Sequence, residues 1–157
     1  MAATTMPSMS SIISRLEADF PELKFEAGDS FAWTPDKKTV VYDDADPNAE
    51  ALLLHELSHG VLGHTDYQTD VQLVSMEAAA WDKALEIGKH YSVAIDNAVI
   101  DEHLDTYRDW LHARSTCPKC TATGFQKGQN LYSCPACTSE WRVNEARVCA
   151  LRRYAVH

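Results

Sequence analysis

Four cysteines in the last third of this 157-residue chain form two CPxC pairs, Cys117 with Cys120 and Cys134 with Cys137. Thirteen residues separate the pairs, and two CxxC pairs at such a spacing are typical of a closed, tetrahedral four-cysteine zinc site. A segment this small buries too little apolar surface to fold without its metal, so we expect zinc binding and folding to be coupled. The spacing therefore predicts a zinc ribbon over residues 114–157. A redox dithiol pair is the alternative interpretation of these cysteines.

Three further residues bear on the ribbon. Thr121 and Thr138 follow the two pairs, at positions where zinc ribbons usually have glycine. The fifth cysteine, Cys149, lies in the apolar stretch 148–151. Because a buried cysteine behaves as a small hydrophobe, we interpret Cys149 as a core residue. The alternative is a thiol that reaches a catalytic metal.

A second motif, His55-Glu56-Leu57-Ser58-His59, lies in a segment whose apolar residues have helical spacing. Residues i and i+4 share one face of a helix, so both imidazoles can bind one metal ion. Glu56 lies about 100° round the helix from His55, which suits a general base beside a metal-activated water better than a ligand. The motif therefore predicts a catalytic metal site in which Glu56 is the catalytic base.

Two histidines leave the third ligand to be identified. His64 is one candidate, but the HExxHxxGxxH pattern needs histidine at position 65, and a continuing helix would turn His64 away from His55. Glu77 is the better candidate, because it lies on the next predicted helix and is followed by the small residues Ala80 and Ala84, which allow close approach. Its carboxylate would leave a fourth position open for water, as in catalytic zinc sites.

The sequence HELSHGVLGH, with MEAAAWDKALE after it and FAWTPDKKTVVYD before it, resembles the ImmA/IrrE-type metallopeptidases over about residues 10–113. These are small gluzincins of bacteria, prophages and mobile elements, and members with known targets cleave helix-turn-helix repressors. The resemblance implies that His55, His59 and Glu77 bind zinc and that Glu56 is the catalytic base. It also implies a repressor as the protein substrate, whose cleavage relieves repression.

The sequence departs from this family at two positions after Glu77. The family often has a second acidic residue where this chain has Ala79, and gluzincins have an acid that orients a histidine where this chain has Trp81. Asp82 and Asp101 are the two alternatives for that orienting role. The residue that stabilises an oxyanion is equally open, with Tyr91 and Tyr107 as candidates.

The net charge of −9 is unevenly distributed. Residues 1–113 carry 7 basic and 21 acidic residues, whereas residues 114–157 carry 7 and 2, which gives net charges of −14 and +5. Because an acidic body repels nucleic acid, we expect any nucleic-acid contact or substrate docking at the basic tail. Trp141, beside an arginine, gives weak support for base stacking. The alternative role of the ribbon is a stabilising cap. The basic residues concerned are Lys119, Lys127, Arg142, Arg147, Arg152 and Arg153.

Apolar spacing and turn residues predict an α+β fold, with a small zincin-like helical domain over residues 1–113 followed by the ribbon. A short antiparallel hairpin pairs residues 31–33 with 39–42, and the second strand could offer an edge to an extended substrate. Thr69 and Gln72 form a capping-box pattern at the start of the third helix. The predicted helices span about 10–20, 69–88, 96–113 and, in the tail, 144–154, and a further helix runs from about 46 to Gly60 or Gly63.

The composition is that of a globular protein, with 45% hydrophobic and 24% charged residues. No apolar run approaches the roughly 18–20 residues that cross a bilayer, and the N-terminus lacks the features of a secretion signal. We therefore expect a cytoplasmic protein with no membrane contact.

These observations predict a zinc metalloendopeptidase with two Zn²⁺ ions, one catalytic and one structural. Two alternatives are a non-catalytic zinc-ribbon regulator and an anti-repressor that binds a repressor or DNA without cutting it.

Overall fold

The computed structural model describes residues 8–144 and the backbone of residues 153–156. Within them the fold is α+β, as the sequence predicts. The helices are α1 (Met9–Asp19), α2 (Ala49–Val61), α3 (Asp70–His90) and α4 (Asn97–Ser115). The strands are β1 (Lys24–Ala27), β2 (Ala32–Thr34), β3 (Thr39–Tyr42), β4 (Phe125–Gly128), β5 (Leu131–Ser133), β6 (Glu140–Val143) and β7 (Arg153–Val156). Among these residues, no helix has the length and apolar character needed to cross a membrane.

The chain forms two compact units, and each is discontinuous in sequence. The first comprises Met1–Thr65 and Met76–Ile100, and the second comprises Asp66–Ser75 and Asp101–His157. The sequence placed the boundary after residue 113. In the structure, residues 66–75 and 101–113 belong instead with the cysteine-containing unit.

The first unit contains a three-stranded sheet in the order β1-β3-β2. The predicted hairpin is confirmed, since β2 and β3 are antiparallel with Trp33 opposite Val40. Strand β1 was not predicted and pairs with β3 in parallel. Its sequence, KFEA, gives little strand signal because most of it is exposed. The expected edge for a substrate at residues 39–42 is wrong, because β3 has a partner strand on both sides.

Helix α2 packs against β2 and β3 and carries the centre of the first core. Leu53, Leu54 and Leu57 are each completely buried, as are Ile12 and Leu16 of α1. Helix α2 begins at Ala49 rather than at residue 46. This packing is what fixes the face on which the helix presents its two histidines.

The second unit contains a four-stranded antiparallel sheet in the order β4-β5-β6-β7. The predicted capping box is present at the start of α3. The backbone N–H of Gln72 donates to Thr69 Oγ1, and the backbone N–H of Thr69 donates to Gln72 Oε1. The sheet packs a small core whose members are Cys117, Tyr132, Cys134, Trp141 and Val143.

The prediction of a helix over residues 144–154 is wrong for the residues that the structure describes. Asn144 is not helical, residues 145–152 lie outside the described part of the chain, and Arg153–Val156 form strand β7. The apolar residues of so short a segment fit a helical and a strand pattern equally well. Pairing with β6 also provides partners for backbone groups that would otherwise form an open sheet edge.

Candidate metal centres

Helices α2 and α3 bring three metal-binding side chains together in the first unit. His55 Nε2 lies 2.8 Å from Glu77 Oε2 and 3.2 Å from His59 Nε2. His59 Nε2 lies 3.4 Å from the same Glu77 oxygen. All three residues are buried, with relative exposures of 1%, 7% and 5% for His55, His59 and Glu77. The structure therefore brings together the three predicted ligands.

The donor set suits a catalytic zinc ion. Two imidazole nitrogens and one carboxylate oxygen are the protein ligands of several zinc hydrolases, which leave a fourth position for water. No fourth ligand belongs to this group among the residues that the structure describes. Burial raises the pKa of Glu77, but hydrogen bonds and positive charge from His55 and His59 outweigh it and hold the pKa well below its ordinary value. Glu77 is thus a carboxylate, the form that binds a metal.

Trp81 packs directly on one of the predicted ligands. Its ring stacks on the His55 imidazole, with 4.3 Å between the centroids and 26° between the planes. This is the position where the resemblance led us to expect an acid, so a packing contact takes the place of a charged hydrogen bond. Of the two alternative acids, Asp82 is exposed on α3 and Asp101 is exposed on α4, and the group of ligand atoms contains neither.

The C-terminus of α2 reverses the chain beside His59. Gly63 has a φ of 69°. Its amide donates to Gly60 O, and the His64 amide donates to His59 O, which is the hydrogen-bond pattern of a Schellman motif. His59 Nδ1 lies 2.9 Å from His64 Nδ1. The prediction that His64 faces away from the site assumed a continuing helix, but the helix ends at Val61.

The remaining candidates of the first unit are also located. Glu56 is half-buried on α2, next to His55 in sequence. Tyr91 donates its hydroxyl to Asp19, so this phenol has a protein partner. A cavity of about 380 Å³ is bounded by Trp33, Val61 and His64, together with apolar residues from the α1–β1 connection.

The four predicted cysteine ligands converge in the second unit. Cys117 Sγ lies 3.6 Å from Cys137 Sγ, and Cys120 Sγ lies 3.5 Å from Cys134 Sγ. A disulfide requires about 2.05 Å, whereas the edge of a tetrahedron with Zn–S bonds of 2.3 Å is about 3.8 Å. The spacing of the sulfurs therefore fits four ligands around one metal ion and not a pair of disulfides.

The two CPxC turns repeat the same geometry. The Lys119 amide donates to Cys117 Sγ and the Ala136 amide donates to Cys134 Sγ, each at 3.4 Å. The hydroxyl and backbone amide of Ser139 lower the pKa of the Cys137 thiol to about 6. The amide donors and the lowered pKa of Cys137 favour thiolates, which are the metal-binding form of cysteine. At Cys120 the Ala122 amide also lowers the pKa, but the Cys134 thiol and burial outweigh it and raise the pKa to about 12.

A buried polar cluster in the second unit was missed by the sequence analysis. Arg114 Nε donates to Asp70 Oδ2 at 2.7 Å, and Tyr132 donates its hydroxyl to the same oxygen at 2.6 Å. Arg114 also donates to Asn130 Oδ1 at 2.7 Å. The members lie up to 62 residues apart in sequence, and no local pattern links them. This cluster joins the start of α3 to the end of α4 and to β5 within the second unit.

Fewer basic side chains of residues 114–157 are available to bind nucleic acid or a substrate than the charge count suggested. Arg114 is buried in its ion pair, and Lys127 pairs with Glu140. Trp141 is completely buried and donates its indole N–H to Arg114 O, so it cannot stack on a base. Arg147, Arg152 and the predicted core residue Cys149 lie outside the described residues, and so does the side chain of Arg153. Lys119 and Arg142 are exposed.

Tyr107, the second candidate for stabilising an oxyanion, packs beside His103 in the second unit.

Comparisons with protein-family models, with curated proteins and with solved structures gave no match to this chain. The resemblance to ImmA/IrrE-type metallopeptidases therefore stays a prediction from the motifs quoted above. The functional inference rests on the two groups of ligand atoms that the fold brings together, His55, His59 and Glu77 in one unit and the four cysteines in the other.

Proposed function

We propose that this protein is a zinc-dependent endopeptidase of the gluzincin type, with a catalytic zinc at His55, His59 and Glu77. A second, structural zinc is held by the four cysteines. The observation that carries the proposal is the convergence of two imidazole Nε2 atoms and one carboxylate oxygen within 3.4 Å of one another. Three such atoms held this close together, in a site where water has little access, are the set of donors that a zinc ion binds.

In peptide hydrolysis at this site, Glu56 is the residue that transfers a proton. Zinc bound there supplies a Lewis acid that polarises the peptide carbonyl and acidifies water. The Glu56 carboxylate accepts a proton from the attacking water, whose oxygen bonds to the carbonyl carbon. Glu56 then returns the proton to the amide nitrogen as the C–N bond breaks, which yields an amine and a carboxylic acid.

The proposed substrate is a DNA-binding repressor with a helix-turn-helix domain. The support is the sequence resemblance, together with the acidic character of the first unit, whose 6 basic and 15 acidic residues give a net charge of −9 that complements a basic DNA-reading surface. If both DNA and the protease use that basic surface, free repressor is the better substrate. The attraction between exposed charges is screened over about 10 Å at 0.1 M salt, so cleavage should slow as salt rises.

Metal content separates the roles of the site residues. We expect two zinc ions per chain in the wild type and in Glu56→Gln, which removes the base and no ligand. Glu77→Gln should hold one zinc, while its control Glu86→Gln, at an exposed position of α3, should hold two. Two zinc ions in Glu77→Gln would contradict the assignment of the third ligand.

Cleavage tests the substrate. The experiment incubates zinc-loaded protein with purified helix-turn-helix repressors from the same genome, with and without operator DNA, at two salt concentrations. We expect fragments from the wild type and none from Glu56→Gln. Intact repressor under every condition, with zinc bound at the His/His/Glu site, would reject this substrate. If Glu56→Gln relieved repression as well as the wild type, the protein would be a binder that does not cut.

A further inference from the structure

His64 is held beside the metal ligand His59 by three separate contacts. Its backbone N–H donates to His59 O at 2.9 Å, because Gly63 reverses the chain. Its backbone carbonyl accepts from Trp33 Nε1 at 3.0 Å. Its ring nitrogen Nδ1 lies 2.9 Å from His59 Nδ1. The backbone of His64 is therefore held on both sides of the residue, and its ring contacts that of His59.

Trp33 is itself fixed against the end of α2. A Cβ atom added at Gly60 would lie 2.9 Å from the Trp33 ring, so only glycine allows this contact. In a Schellman motif the residue after the left-handed glycine commonly packs on the residue five positions before it. Here those two residues are His64 and His59, and two imidazoles make the contact that apolar side chains usually make.

The hydrogen bond between the two rings determines which nitrogens carry protons. His59 directs Nε2 toward Glu77 and His55, and directs Nδ1 toward His64. When His59 Nε2 binds a metal, its lone pair is used and the proton of the neutral ring is on Nδ1. His59 Nδ1–H is then the donor and His64 Nδ1 the acceptor.

We propose that His64 is a positioning residue for the metal site. By accepting from His59 Nδ1–H, it holds His59 in the tautomer and ring orientation that present Nε2 to the metal. Ligand histidines almost always donate their second N–H to a carboxylate, a carbonyl or water, and loss of such a partner weakens metal binding 10–100-fold. In this protein an imidazole takes that place. The inference rests on the proposed metal site but does not depend on hydrolysis.

The test measures zinc affinity of the full chain by competition with a chromogenic chelator, counting the zinc released from the His/His/Glu site. His64→Leu removes the acceptor, and we expect it to weaken binding about 10–100-fold. His64→Asn places an amide oxygen where Nδ1 lies, so most of the affinity should return. His90→Leu, at an exposed position in the same unit, is the matched control and should bind as the wild type.

A second measurement needs no variant. Nitrogen-15 NMR of the wild type should show His59 protonated at Nδ1 and His64 protonated at Nε2 when zinc is bound. Unchanged affinity in His64→Leu, equal weakening in Leu and Asn, or the opposite tautomers would overturn the role of His64 while leaving the metal site in place. A wild-type chain that binds no zinc at the His/His/Glu site would overturn the metal site and this inference together.

Discussion

Tyr91 shows how a single side chain makes stability depend on pH. It is 4% exposed, its hydroxyl donates to Asp19, and Arg15 lies over its ring at 4.6 Å. Burial and the Asp19 carboxylate raise the pKa of Tyr91 to about 12. In the unfolded chain the phenol loses its proton near pH 10. The contribution of Tyr91 is thus complete below pH 10 and is lost as the pH rises through about 12.

We expect Tyr91→Phe to lower the melting temperature at pH 8 by about 2–4 °C, because a hydrogen bond of about 1 kcal/mol is lost. At pH 11 the difference from the wild type should be smaller, since the wild type has begun to lose this contribution. Thermal unfolding at both pH values is the measurement. Tyr67→Phe, at a position that is 38% exposed, should have little effect at pH 8. A difference that stays constant or grows with pH would contradict the assignment.

Thr121 and Thr138 carry backbone strain after the two cysteine pairs. Their φ angles are 64° and 65°, in the left-handed region that β-branched residues rarely adopt. Each hydroxyl donates to the carbonyl of the preceding cysteine at 2.6 Å, which offsets part of the cost. The absence of glycine at these positions, visible in the sequence, therefore has a structural consequence.

Thr138→Gly should stabilise the zinc-loaded second unit by about 1 kcal/mol, because strained residues of this kind cost about 1–3 kcal/mol. The same change at Thr123, whose φ is not positive, should destabilise it by about 0.5–1 kcal/mol. Chemical unfolding of the zinc-loaded chain measures both. Equal effects of the two substitutions would show that the left-handed conformation costs nothing here.

At the scale of elements, the place where α2 ends matters for the metal site, because it determines where His64 lies. Val61 ends the helix, and Gly63 turns the chain so that His64 returns to His59. A Cβ atom at Gly63 would meet no atom within 4 Å, so any cost of a larger residue there comes from its φ of 69° alone. Gly128 is equally open, without a positive φ.

Gly63→Ala should therefore destabilise the protein by about 1–2 kcal/mol, the cost of a left-handed non-glycine residue. It should also weaken zinc binding at the His/His/Glu site, because His64 is displaced. Gly128→Ala is the control and should change neither quantity to this extent. Asparagine tolerates the left-handed region, so Gly63→Asn should lie between the wild type and Gly63→Ala. A normal affinity in Gly63→Ala would mean that the turn does not fix His64.

The sequence predicts those elements whose signals are local. The i, i+4 spacing of His55 and His59, the hairpin and the capping box were read correctly because each depends on a few neighbouring residues. The convergence of Glu77 on the histidines was predicted from helix order and small residues. Strand β1 was missed because it is only four residues long and three of them are exposed. The return of His64 was missed because it depends on the conformation of one glycine.

At the scale of the whole molecule, the two units have different sources of stability. The first unit buries leucines and isoleucines of α1 and α2, whereas the core of the second contains two of the four cysteine ligands. The charge division predicted from the sequence also changes, because Arg114 is buried against Asp70 and adds nothing to a basic surface. Charge counts along a chain cannot detect such pairs, since the partners lie 44 residues apart.

Cys134→Ser should unfold the second unit, because it removes a ligand and leaves a polar atom in a small core. We expect one zinc per chain, lower solubility, and loss of slow amide exchange in residues 66–75 and from residue 101 onward. Cys149→Ser keeps the four-cysteine group intact and should retain two zinc ions. Metal analysis and hydrogen exchange are the measurements. Full zinc content in Cys134→Ser would refute the four-cysteine site.

The burial of the Asp70 carboxylate limits how early in translation this part of the protein can fold. The ribosome adds about 5–20 residues per second, so Tyr132, 62 residues later, follows Asp70 by roughly 3–12 s. Until Arg114 and Tyr132 emerge, the first residue of α3 has neither of the groups that hydrogen-bond it in the folded chain. Native burial of this carboxylate therefore follows most of translation, and a ribosome that stalls between these residues leaves an acidic segment open to solvent and to chaperones.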